Sequence, residues 1–152
     1  MSGAHVVAIP VPAGWRQVAP PASHYVVSDG LEVDISVVQG LPEDPPSWVN
    51  VEIARRAAGR TVVGPTLTRV TTEAGWPALV AEATLGADKL MLVMYEFLEL
   101  GAVATLTGPA ERYDVHRDAV RDVLLHADIR WGAPPITLAG LLDGAVRAPR
   151  ER

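Results

Sequence analysis

Residues 31–37 read Leu-Glu-Val-Asp-Ile-Ser-Val, and this alternation constrains the fold more than any other feature of the chain. Leu31, Val33, Ile35 and Val37 share one side while Glu32, Asp34 and Ser36 take the other, the period of a half-buried β-strand. Asp29-Gly30 precedes it and follows His24-Tyr-Val-Val27, a hairpin signal because glycine accepts the positive φ of a tight turn. Strands are therefore expected at about 5–10, 24–28 and 31–38. Pro45-Pro46-Ser47 then opens a segment from Trp48 to Gly59 with good helix formers and a terminal glycine. A second hairpin follows, 66–72 and 78–84, turned at Ala74-Gly75-Trp76-Pro77. Lys89 to Leu98 is apolar at both parities, as a strand covered on both faces should be, and Gly101 separates it from a strand over 102–107. Pro109 stops the sheet. Tyr113, His116, Val120, Val123, Leu124 and Ala127 recur at spacings of three and four within 111–127, which predicts a helix with an apolar stripe on the sheet. Strands, helix, meandering strands, helix: this order predicts an α+β fold, an antiparallel sheet flanked by two main helices.

A chain of 152 residues, 49% hydrophobic and 20% charged, has room for one core and the composition of a folded protein. Residues 1–131 are expected to form the domain. Past Trp131 the segment Gly132-Ala-Pro-Pro135 reads as a linker, and 132–152 as a tail with a short amphipathic stretch. The charge, 13 − 18 = −5, argues against nucleic acid as a partner, because such binding needs a basic patch to release phosphate counterions. With no cysteine there is no disulfide framework, thiolate metal site or cysteine nucleophile. Pro10 and Pro12 interrupt the N-terminal apolar run before a signal-peptide core can form, and Glu96, Glu99 and Gly101 break the apolar stretch 90–107. A cytoplasmic protein without membrane insertion is the expectation.

Chemistry-bearing motifs are sparse. The sequence contains no G-x-x-x-x-G-K-[ST], G-x-G-x-x-G, G-x-S-x-G or H-E-x-x-H. His116 and His126 stand ten residues apart, off a common helix face, so no metal site is expected from the four histidines. Asp114, Asp118 and Asp122 form a carboxylate stripe, but Arg117 and Arg121 lie three residues beyond the first two, and charges so spaced pair along a solvated helix face. Glu96 and Glu99 are an odd number apart in a strand, so they face opposite ways and make no paired acid and base. No catalytic residue and no cofactor are expected. The four tryptophans, Trp15, Trp48, Trp76 and Trp131, fit packing at the core's edges better than a partner surface.

Ile9-Pro-Val-Pro-Ala-Gly-Trp15 resembles the opening of the PsbP/DcrB-like superfamily, whose first strand runs into a Pro-x-Gly-Trp turn. Gly75-Trp-Pro-Ala78 is similar to that superfamily's G-x-P-A turn, and the strand pair within 89–107 and the helix ending at His126-Ala-Asp-Ile129 follow in the same order. The resemblance covers about residues 4–131 and implies an α-β-α sandwich. Eag-type adaptor chaperones of type VI secretion belong to that superfamily, so it implies a homodimeric, non-enzymatic bacterial adaptor or chaperone that shelters an apolar segment of a partner such as a secretion effector. The contact surface is then expected on the exposed side of strands 31–38, 78–85 and 89–98, at Val38, Val80, Met91, Val93 and Tyr95. An alternative places recruitment in the tail, where Leu138, Leu141, Leu142 and Val146 would share one side of a short helix and the segment 136–142 loosely resembles the C-terminal peptides that load cargo into encapsulin shells, with Gly140 and Leu142 alone matching in register. An enzyme is a third reading, and a small-molecule-binding protein a further alternative.

Overall fold

In the computed structural model, which describes residues 4–20, 23–38, 40–97 and 100–132, the chain runs β1 (Ala4–Ala8), β2 (Arg16–Gln17), β3 (His24–Ser28), β4 (Leu31–Val38), α1 (Pro45–Ala57), β5 (Val62–Thr71), β6 (Pro77–Leu85), β7 (Asp88–Phe97), β8 (Leu100–Pro109), α2 (Ala110–Leu124) and β9 (Asp128–Gly132). Seven strands form one antiparallel sheet in the order β2-β3-β4-β8-β7-β6-β5. This sheet and both helices lie within one compact unit, Val7–Asp128, while β1 and β9 make a separate two-stranded sheet. The fold is the expected α+β arrangement. Differences from the sequence reading are local: the first strand is 4–8, the first helix is 45–57, β5 begins at 62 rather than 66, the last long strand reaches 100–109, α2 ends at 124 rather than 127, and the short β2 and the strand β9 were not anticipated.

Local chemistry accounts for the elements. Asp44 caps α1 by accepting from the Ser47 backbone N–H at 3.3 Å and from its hydroxyl at 2.7 Å, and Pro45 and Pro46 occupy the first turn, where no N–H is needed. Ala58, in a left-handed conformation with φ 51°, ends the helix. Strands β7 and β8 lie inside the sheet and are buried almost throughout, which is why both parities are apolar.

Each face of the sheet carries a helix. Val49, Ile53 and Ala57 of α1 pack on Leu79, Ala81, Ala83 and Leu85 of β6, Leu90, Leu92 and Met94 of β7, and Val103 of β8, with Trp48 at the margin. Side chains of the other parity face α2, whose Tyr113, Val120 and Leu124 are buried. Two hydrogen bonds fix that side: the Tyr95 hydroxyl donates to the Leu124 carbonyl and the Tyr113 hydroxyl to the Glu82 carboxylate, both at 2.7 Å. Each large apolar side chain so buried stabilises the fold by roughly 1.5–3 kcal/mol.

The expected contact surface is corrected here. Val80, Met91, Val93 and Tyr95 share one sheet face but are at most 3% exposed, because α2 lies across them. Val38 stands at the opposite parity and packs against the α1-side core. These five residues therefore form no common exposed patch. Leu138, Gly140, Leu141 and Leu142 lie outside the described residues.

Candidate functional site

Helix α2 sits over β7 and β8, and a groove of about 320 Å³ opens where its first turns face the β5–β6 end of the sheet. One wall is Val63, Gly64 and Thr66 of β5, the floor is Glu82 and Thr84 of β6 with Lys89 of β7, and the far wall is Tyr113, Asp114 and Arg117 of α2. A β-bulge between Val63 and Thr66, with Gly64 at φ 103°, bends β5 there. An added Cβ at Gly64 would stand 3.1 Å from the Glu82 carbonyl oxygen, so the wall approaches the floor as closely as it does because this residue is glycine.

Glu82 is the centre of the site. It lies on a strand whose neighbours Ala81 and Ala83 face α1, so the alternation of β6 turns it toward α2. Tyr113 and Arg117, four residues apart on α2, both reach it: the phenol donates at 2.7 Å and the Arg117 Nε at 2.6 Å, with a further Arg117 nitrogen on the second carboxylate oxygen. Arg117 also donates to Asp118 at 2.6 Å. Lys89 pairs with Asp114 at 2.7 Å and stands 6.0 Å from the centre of the Tyr113 ring. The charges expected to pair three residues apart along the helix reach elsewhere: Asp114 bonds to Lys89 of β7 and Arg117 crosses to Glu82 of β6.

Electrostatics follow from this geometry. The Arg117 guanidinium, more than the Tyr113 hydroxyl, holds the Glu82 carboxyl below its usual range despite partial burial. Burial, and then the hydrogen bond to Glu82, pushes the Tyr113 phenol well above its ordinary range. Arg117 is held more firmly protonated, chiefly by its bond to Glu82. An ionised carboxylate saturated by a guanidinium fork and a phenol is poorly placed to take a proton, and a phenol so raised does not release one. What this arrangement does is hold α2 to β6 and present Val63, the Thr66 and Thr84 side chains and the Lys89–Asp114 pair to whatever enters.

The sequence reading included Tyr113 in the helix stripe and Arg117 among the stripe's counter-charges, but passed over Glu82. A carboxylate between Val80 and Thr84, on the same side of β6 as both, was the available signal. Glu96, read as one of two strand carboxylates facing opposite ways, accepts from Arg69 at 3.1 Å; Glu99 lies outside the described residues. Trp76 donates its indole N–H to Asp128 at 2.8 Å and meets Phe97 edge-on at 5.2 Å, Trp15 lies 6.0 Å from Tyr25, and Trp48 borders the α1-side core. Among the described residues no helix is long and apolar enough to cross a membrane.

No protein-family model matches the chain, and no curated protein sequence does. Solved structures do. LpqN of Mycobacterium tuberculosis, described as involved in cell envelope biogenesis, superimposes with a TM-score of 0.58 at 13% identity over 87% of this chain and 86% of its own. Cyanobacterial PsbP (CyanoP) from Synechocystis sp. PCC 6803 gives 0.56 at 10% identity, over 85% and 93%. Likeness at these identities speaks to architecture. The chain has the PsbP-like fold, an antiparallel sheet between two helices.

Proposed function

We propose that the chain is a non-catalytic binding module, an adaptor that holds a segment of a partner protein in the groove between α2 and the β5–β6 end of the sheet. One observation carries this reading: the groove's central ionisable groups, Glu82, Tyr113 and Arg117, are bonded to one another, so the site offers shape and contacts rather than an activated nucleophile or base. Val63, 64% exposed on the wall, gives an apolar contact, and Lys89 and Asp114 give a polar rim. A segment with one apolar and one polar side fits that lining. The sheltering surface is thereby moved from the sheet face, which α2 covers, to the groove beside it.

The test is affinity capture from the native host with the full chain, a V63D/K89E variant and a 1–132 truncation, read by mass spectrometry. A partner retained by the truncation and lost from the groove variant supports the reading. A partner lost only on truncation would move the function to the tail, and turnover of a small molecule by the purified chain would replace the reading with an enzymatic one.

A further inference from the structure

The flank of α2 that looks toward β5 carries Asp114, Arg117 and Arg121, spaced i, i+3 and i+7 on one side of the helix. Its direction is fixed at both ends. Asp114 bonds to Lys89 of β7 near the start, and past the last turn the Leu125 carbonyl accepts the Glu73 N–H, just beyond the end of β5, at 2.9 Å. Helix and strand therefore run the same way, and the slot between them continues past the groove described above. Its strand side is Thr66, Thr68 and Val70, which share the Glu82 face because Thr66 lies opposite Glu82 and Thr68 opposite Val80.

The two arginines of this flank differ in what they meet. Arg117 is engaged by Glu82 and by Asp118. Asp118 is the carboxylate that helical spacing would offer to Arg121, three residues on, and Arg117 has taken it. Arg121 is half-buried and lies in the field of Glu82, yet among the described residues it makes neither a hydrogen bond nor an ion pair. Across the slot, Thr66 and Thr68 bring hydroxyls but no charge. A cation so placed, with water partly excluded around it, attracts a carboxylate more strongly than a fully exposed one does, and its guanidinium fork can take both carboxylate oxygens.

We propose that the partner segment taken into this groove carries an acidic side chain that pairs with Arg121, about three residues along an extended chain from the apolar side chain that rests on Val63. The inference rests on the groove reading given under Proposed function. Its spacing comes from the ladder and the helix together. Val63 lies opposite Thr84, and Thr84 opposite Lys89, the partner of Asp114, so Val63 and Asp114 stand at one level of the slot. Arg121 follows Asp114 by two turns, about 10 Å along the helix axis. An extended peptide covers that distance in about three residues.

The probe is a display library of short random linear peptides, selected on the immobilised full chain and, side by side, on Val63→Ser, Arg121→Glu and Arg121→Lys. Val63→Ser removes the apolar wall without adding charge. Peptides held by the parent chain and lost from Val63→Ser are expected to share an apolar residue and an Asp or Glu about three positions apart. Replacing that acid by its amide in a synthetic copy is expected to weaken binding to the parent chain at least about tenfold. Arg121→Lys should keep the acidic preference, and Arg121→Glu should exchange it for a basic one, a switch that an arginine serving only the helix would not produce. The amide exchange is made in the peptide alone, so it reads the contact even where Arg121→Glu fails to fold. Peptides sensitive to Val63→Ser but without an acidic preference, an amide that binds as well as the acid, or a folded Arg121→Glu chain with the parent's preference would each overturn the proposal and leave the groove reading standing. A library that yields no peptide sensitive to Val63→Ser would overturn both.

Discussion

At Gly108 two strands come closer than any side chain allows. A Cβ there would lie 2.5 Å from the Gly30 carbonyl oxygen and 2.8 Å from the Leu31 Cα, both backbone atoms that cannot swing away. Gly108→Ala is therefore expected to destabilise the fold by about 1–3 kcal/mol, read as a lower urea midpoint at unchanged slope. Gly30, at φ 72°, sits in the turn that the Asp29-Gly30 pair announced. Glu82 gives a prediction of a different kind. Its carboxyl is held below the ordinary 4.5, so its contribution to stability is present above the unfolded-state pKa and lost as pH falls through the lowered folded value. Comparing Glu82→Gln with the parent chain by urea unfolding should give a gap of about 1 kcal/mol at pH 7, modest because solvent reaches the pair. The gap should narrow as pH falls below the ordinary carboxyl range and through the lowered folded value. A gap independent of pH would mean that the carboxylate's charge has no part in holding α2.

Helix α1 is anchored at its start by Asp44 and along one side by Val49, Ile53 and Ala57. Asp44→Ala is expected to cost about 1 kcal/mol, and Ile53→Ala, which empties a position 1% exposed, about 2–4 kcal/mol. Both are measurable by chemical denaturation; equal costs would mean that the cap, rather than the buried face, sets the helix's contribution. The elements themselves were legible because each carries its own period: alternation in β4, apolar parity on both sides of β7, spacings of three and four in α2. What lay beyond the sequence was which element meets which. The stripe naming Tyr113 says that α2 buries a side, yet nothing local says that its first turns face β6 and deliver Arg117 to Glu82. The same gap explains the misplaced contact surface: Val80, Met91, Val93 and Tyr95 do share a face, but only the packing of α2 decides that the face is closed. Strand β2, two residues long, is too short to show a period, and β9 falls between a helix expected to reach 127 and a linker expected from 132.

Across the whole molecule, protection from solvent falls from the middle of the sheet to its rims. Strands β7 and β8 are buried on both faces and paired on both sides, whereas β2 and β5 are largely exposed. Amide hydrogen exchange should follow this gradient, slowest in β7 and β8 and fastest in β2. Faster exchange in β8 than in β2 would show that the sheet opens from within. The strand order also fixes a timetable. The β3–β4 hairpin docks on β8, so Glu32 finds its neighbour in Thr107, and everything between them must be made first. At a ribosomal pace of about 5–20 residues per second, β4 waits about 4–15 s for that partner, with Leu31 and Val33 uncovered. Glu32 and Asp34 on the other side of the same strand are charges of the kind that discourage a waiting strand from joining the wrong neighbour, and their places in the ladder suit a nascent chain whose first hairpin is completed almost last.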